Sequence, residues 1–149
     1  MKPVVADQQN FYSWGDGCAG WRLLDLDHFQ VRQEAMPPGT AEEPHMHRLA
    51  HQFFYVLSGH MTIITPEGRV RLAPGQGLHV PAGLAHWVRN EDSSELAFIL
   101  SSAPGTAGDR FPAIRQAGRQ TRRRQRLGNG SGNGSLLPRQ DGRGNLPIL

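Results

Sequence analysis

Histidines offer the first chemistry. All seven lie between His28 and His86, and five of them are His45, His47, His51, His79 and His86. His45-Met46-His47 is the sharpest pair, because alternate residues of a β-strand share a face, with Cβ atoms roughly 6–7 Å apart. Two imidazoles at that separation can converge on one ion through bonds of about 2.0–2.2 Å. A pair alone gives poor geometry, so a third ligand has to arrive from another strand. A centre of that kind supplies Lewis-acid or redox chemistry to a small molecule. A thiolate metal cluster is excluded. Cys18 is the only cysteine, so it forms neither an internal disulfide nor a cysteine cluster. Between Trp14 and Trp21 it reads as a small buried hydrophobe.

The elements that must position those side chains read as strands. Segments 22–26 and 29–34 come first, then 52–57 and 61–65 on either side of Ser58-Gly59-His60. Pro66-Glu67-Gly68 marks a turn, and 69–72 returns from it as a hairpin. Segments 77–80, 86–90 and 96–101 complete the set. Many short strands, punctuated by 18 Gly and 11 Pro and with no helical period, predict an all-β sandwich or barrel. Phe54, Val56, Ile63, Leu78, Val88 and Leu96 are its expected core. Phe54, Val56, Ile63 and Val88 are also the expected wall of a substrate pocket. No apolar run approaches the length of a membrane span. Residues 1–10 lack the apolar segment of a secretory signal, so a cytoplasmic location is expected.

Charge divides the chain. Residues 1–112 carry 8 Lys+Arg against 12 Asp+Glu, a net −4, whereas 113–149 carry 8 Arg against Asp141 alone, a net +7. The expected organisation is one domain over 1–112 and a tail over 113–149. The tail holds Arg122-Arg123-Arg124 and a Gly/Asn/Ser run ending at Ser135, a composition that buries nothing and predicts disorder. No aromatic residue interleaves with the arginines, so nucleic-acid binding is not expected.

The spacing of glycines and histidines carries a resemblance. Five residues separate Gly39 from His45, four separate His47 from Gln52, and six separate Gln52 from Gly59. Further on, Gly75, Pro81, Gly83, His86 and Asn90 follow with five, one, two and three residues between them. This resembles the two motifs of the cupin superfamily, in order and with a short spacer. The second motif matches at every specified position. The first departs once, where Gln52 stands in place of Glu. Trp14 to Trp21, Glu34 to Thr40, Gln52 to Gly59 and Gly108-Asp109-Arg110 are also similar to one group of small bacterial single-domain cupins. The resemblance implies a jelly-roll double-stranded β-helix with one divalent metal on His45, His47 and His86. It puts Gln52 at the fourth ligand position.

His51 is the rival fourth ligand, and strand register separates the two. Gln52 shares a face with Phe54 and Val56; His51 shares the other with Phe53, Tyr55 and Leu57. One strand turns both residues inward only through a bulge, so Gln52 is read as inward. A slip in the Arg48-Leu49-Ala50 loop would reverse this. With Gln52 the ligand set is neutral, which favours an anionic substrate. N/O ligation suits Fe, Mn, Ni, Zn or Cu without choosing among them. The expected function is a metal-dependent, dioxygenase-like enzyme acting on a small chelating or anionic molecule. The alternatives are a cupin-type isomerase or cyclase, and a non-catalytic ligand-binding or sensing module. Because the strand 52–57 is apolar on both faces, a homodimer through the outer face is expected. His79 reads as a hydrogen-bonded strand residue, His28 and His60 as surface residues. Arg32 and Glu34 have no direction that the sequence decides.

Overall fold

Alternation is clearest in 51–58, where Gln52, Phe54 and Val56 are buried and their neighbours exposed. The same period runs through 96–103, burying Leu96, Phe98, Leu100 and Ser102. In an extended chain this period gives each strand one face for the core and one for water. The computed structural model describes residues 1–113. Apart from Ala113, the expected tail lies outside the described residues.

The described residues form eleven strands: β1 (Phe11–Trp14), β2 (Cys18–Leu26), β3 (Phe29–Met36), β4 (His45–Met46), β5 (His51–Ser58), β6 (Met61–Thr65), β7 (Gly68–Leu72), β8 (Gly77–Val80), β9 (Trp87–Arg89), β10 (Leu96–Ala103) and β11 (Phe111–Pro112). A six-stranded sheet has the order β1-β2-β3-β10-β5-β8, a three-stranded sheet β7-β6-β9, and a two-stranded sheet β11-β4. Every pairing is antiparallel. Backbone hydrogen bonds from Gly39, Glu42 and His45 to Asn90, Val88 and His86 join the two smaller sheets into one layer. The architecture is a double-stranded β-helix, as expected. Among the described residues no helix is long and apolar enough to cross a membrane.

The core lies between the layers. Phe54, Val56, Phe98 and Leu100 come from the large sheet and meet Met61, Ile63, Leu72 and Val88. Each such side chain contributes about 1.5–3 kcal/mol by leaving water. Gly59 turns β5 into β6 at φ 73°, and a Cβ there would lie 2.5 Å from the Glu95 carbonyl oxygen. Only glycine tolerates both demands.

The expected strands are all present, and β2 starts earlier than its predicted first residue. The sequence reading missed β1 and β11. β1 pairs on one side only and is at most half-buried, and β11 has two residues, one of them proline, so neither carries a strong period-2 signal.

Candidate metal centre

His45 and His86 face each other across adjacent chain segments. They exchange both backbone hydrogen bonds, His45 N to His86 O at 3.1 Å and His86 N to His45 O at 2.8 Å. His47 follows on the same face as His45. The three rings are buried, with ligating nitrogens within 4.8 Å of one another. Their centroids lie 5.0 Å (45–47), 4.5 Å (45–86) and 5.8 Å (47–86) apart.

Backbone carbonyls decide which nitrogen each ring turns inward. The Nδ1 of His45 meets the Glu43 carbonyl at 2.9 Å, that of His86 meets Leu84 at 2.9 Å, and that of His47 meets Asp109. A carbonyl only accepts, so each Nδ1 carries the proton and each Nε2 presents a lone pair. Burial holds the rings neutral. It pushes His45 down to about 3 and His86 to about 4, with the Arg110 charge adding to the effect on both, and it also lowers His47. The His47 Nε2 is buried with no hydrogen-bond partner. The His86 Nε2 faces the Gln52 amide oxygen at 2.9 Å, one acceptor against another. Converging lone pairs without protons between them suit a cation, so the donor set fits a metal ion.

Gln52 points inward and is buried, while its amide nitrogen donates to Ser102 Oγ at 3.4 Å. His51 is exposed on the outer face, where its Nδ1 lies 2.9 Å from His79 Nε2. The two faces of β5 thus separate the rivals as register requires.

The family profile described as "Cupin domain" matches residues 32–102, which contain all four of these inward residues. Residues 32–102 are a cupin domain. No curated protein matches it significantly in sequence. Among solved structures it is similar to a conserved protein with a double-stranded β-helix domain from Klebsiella pneumoniae. That match has 18% identity and a TM-score of 0.64, and covers 76% of this chain and 100% of that one. It is similar to the polyketide cyclase RemF from Streptomyces resistomycificus at 19% identity, TM-score 0.61, covering 76% and 86%. KdgF from Halomonas sp. matches at 16% identity, TM-score 0.61, covering 70% and 96%. These likenesses concern the fold.

One residue that orders the centre was missed by the sequence reading. The Asp109 carboxylate accepts the backbone N–H groups of Arg48, Leu49 and Ala50 at 2.8, 3.0 and 2.9 Å, and its carbonyl holds the His47 ring. Those three N–H groups keep its carboxyl below the usual carboxylate range. Asp109 therefore pins the loop whose slippage would have exchanged His51 for Gln52. Its only sequence signal was its place in the Gly108-Asp109-Arg110 stretch.

A cavity of about 700 Å³ reaches the centre at His47 and Gln52. His47, Gln52, Phe54 and Leu100 line it on one side, and Tyr12, Arg32, Glu34, Glu42 and Arg110 elsewhere. Of the expected pocket wall, only Phe54 is on this cavity. Val56, Ile63 and Val88 are fully buried in the core beneath it, because their rows meet apolar side chains from the facing sheet. Arg32 and Glu34, undecided in the sequence, both turn inward. Cys18 is buried, as expected, and His60 bonds Asp92 at 2.8 Å.

Proposed function

We propose that this cupin is a metal-dependent enzyme acting on a small anionic or chelating substrate. His45, His47 and His86 would hold one divalent transition metal (Fe, Mn, Ni, Zn or Cu), with Gln52 as fourth ligand through its amide oxygen. The buried, unpartnered Nε2 of His47, beside two further lone-pair donors, is the observation that carries this reading. Imidazole and amide are neutral here, so the ion's full +2 charge is left for an anion to balance. Arg32 and Arg110 on the cavity wall favour an anion as well. When bound, the metal would polarise a substrate oxygen or open a route to dioxygen. The chain's own residues do the rest. Phe54 excludes water from the inner end, and the arginines orient the substrate's charged group.

Two reaction classes suit such a centre. Dioxygenase chemistry follows from the three-histidine resemblance. Isomerase- or cyclase-type proton transfer is favoured by a specific observation, the Tyr12–Glu34 pair on the cavity wall. Metal analysis of the purified chain, followed by aerobic and anaerobic incubation with a panel of chelating acids, tests the reading. Bound metal with turnover in air alone supports the dioxygenase. Turnover in both atmospheres supports proton transfer. Tight retention of an acid without turnover would replace the enzyme by a binding module. Unchanged metal content after His45→Ala with His86→Ala would refute the centre. The expected homodimer belongs to the same proposal, resting on outer-face Phe53, Tyr55 and Leu57, which are 46%, 41% and 44% exposed. A monomer by sedimentation would end it.

A further inference from the structure

We propose that Glu34, oriented by Tyr12, is the acid–base residue of this cavity, acting on a small carboxylic acid with an enolisable carbonyl. The inference rests on the metal-centre reading and names its substrate class. It starts from a row of three residues. Tyr12 on β1 pairs with Gly20 on β2, and Gly20 pairs with Glu34 on β3. Side chains directly opposite in neighbouring strands share a face. Gly20 contributes none, and a Cβ there would overlap the Tyr12 ring. The ring therefore lies across β2, and its hydroxyl donates to Glu34 Oε1 from two strands away.

This arrangement has the marks of a functional pair. Glu34 is 5% exposed and lines the same cavity as His47 and Gln52. It has no ion-pair partner within the salt-bridge distance among the described residues. A core position would favour an apolar residue, since a carboxylate buried without a cation beside it loses its hydration uncompensated. Burial raises the Glu34 carboxyl above the usual range, with Tyr12 and the Arg32 and Arg110 charges opposing it. That moves it toward the range useful to a general base at neutral pH. Tyr12 keeps its proton, because burial and the Glu34 charge both raise its phenol. The Arg22 guanidinium lies 4.4 Å from the Tyr12 ring centroid and holds the ring in place. Arg32, whose Nε is buried without a partner, supplies a donor for the substrate carboxylate.

The step balances without a co-reactant. Glu34 Oε2 takes the proton from the carbon beside the carbonyl. The C–H electron pair becomes the new C–C π bond, and the carbonyl π pair moves to its oxygen. Glu34 then returns the proton to the same carbon as the oxygen's electron pair re-forms the carbonyl. Nothing is oxidised or reduced overall.

The test uses the metal-loaded full chain in deuterium oxide with 2-oxobutyrate, 2-oxoglutarate and acetoacetate in turn, reading deuterium at carbon by mass spectrometry. The wild type is expected to exchange faster than metal in buffer. Glu34→Gln should lower the rate at least about 100-fold while keeping its metal. Tyr12→Phe and Gly20→Ala should each lower it about tenfold. The two together should do no more, since both delete one hydrogen bond. Gly20→Ala has to push the Tyr12 ring off β2, since the new Cβ would lie 2.2 Å from its Cζ, so a thermal melt of that variant accompanies the exchange assay. A second readout needs no substrate. The chain has 2 Tyr, so in a Tyr55→Phe background the ultraviolet titration reports Tyr12 alone. Glu34→Gln should lower its midpoint. Exchange unaffected by Glu34→Gln, no exchange of any probe by the wild type, or an unmoved Tyr12 midpoint would overturn the proposal. Metal retained in those cases leaves the centre standing; metal never bound removes both.

Discussion

Two groups of histidines lie close in sequence and differ in everything else. His45, His47 and His86 are 3%, 2% and 1% exposed, each anchored through Nδ1 to a backbone carbonyl. His51 and His79 lie on the outer face, stacked at 17° and satisfying each other at 2.9 Å. In the first group burial strips away water and the carbonyls choose the tautomer, so lone pairs accumulate at one point. In the second, solvent and mutual pairing leave nothing uncompensated. Residue type is the same in both groups, so the fixed orientation and the desolvation are what make a centre.

That contrast can be broken in the laboratory. The largest effect is expected from His45→Ala with His86→Ala, which should cost at least about 100-fold in metal affinity, measured by titration calorimetry. Asp109→Ala comes next. It frees the 48–50 loop that follows His47 while leaving the backbone carbonyl on the His47 ring, and should weaken metal binding about tenfold. It should also lower the thermal midpoint, since three backbone donors lose their acceptor. A variant as tight and stable as the wild type would deny Asp109 its role. Gln52→Glu should tighten metal binding by roughly tenfold or more, because a charge joins the ligand set. Equal affinity would indicate that residue 52 does not touch the ion.

Burial can be tested on a carboxylate as well. Glu34 has a raised folded pKa, so between the unfolded and folded values the native state holds a proton that the unfolded chain has released. Stability therefore falls as pH rises through that window, and the full penalty is present above it. Glu34→Gln should raise the melting temperature at neutral pH by a few degrees, with the gain fading toward pH 4. A gain of equal size at both pH values would remove the ionisation from the account. The smallest effect is expected from His51→Ala or His79→Ala, which should leave metal affinity unchanged and stability within about 0.5 kcal/mol.

Much of this was legible in the chain. The period-2 pattern of 51–58 was enough to turn Gln52 inward and His51 outward, because adjacent residues of a strand cannot share a face. The glycine and histidine spacing pointed to the barrel and to three converging histidines. Other features were not legible. The pocket wall was read one layer too deep, since Phe54, Val56, Ile63 and Val88 are equally apolar and only their depth separates cavity from core. Asp109 acts on Leu49 across 60 residues of sequence, and no local pattern announces such a contact. Tyr12, Gly20 and Glu34 lie on three strands, and Gly20 matters only through the side chain it lacks.

The sequence by itself determined the all-β class, the strand faces and the residues able to ligate a metal, because these depend on local spacing and side-chain chemistry. Tertiary structure alone decided which nitrogens face inward, what holds the loop before Gln52 in register, and which carboxylate reaches the cavity. Those depend on hydrogen bonds and burial between segments that are neighbours only once the barrel has closed.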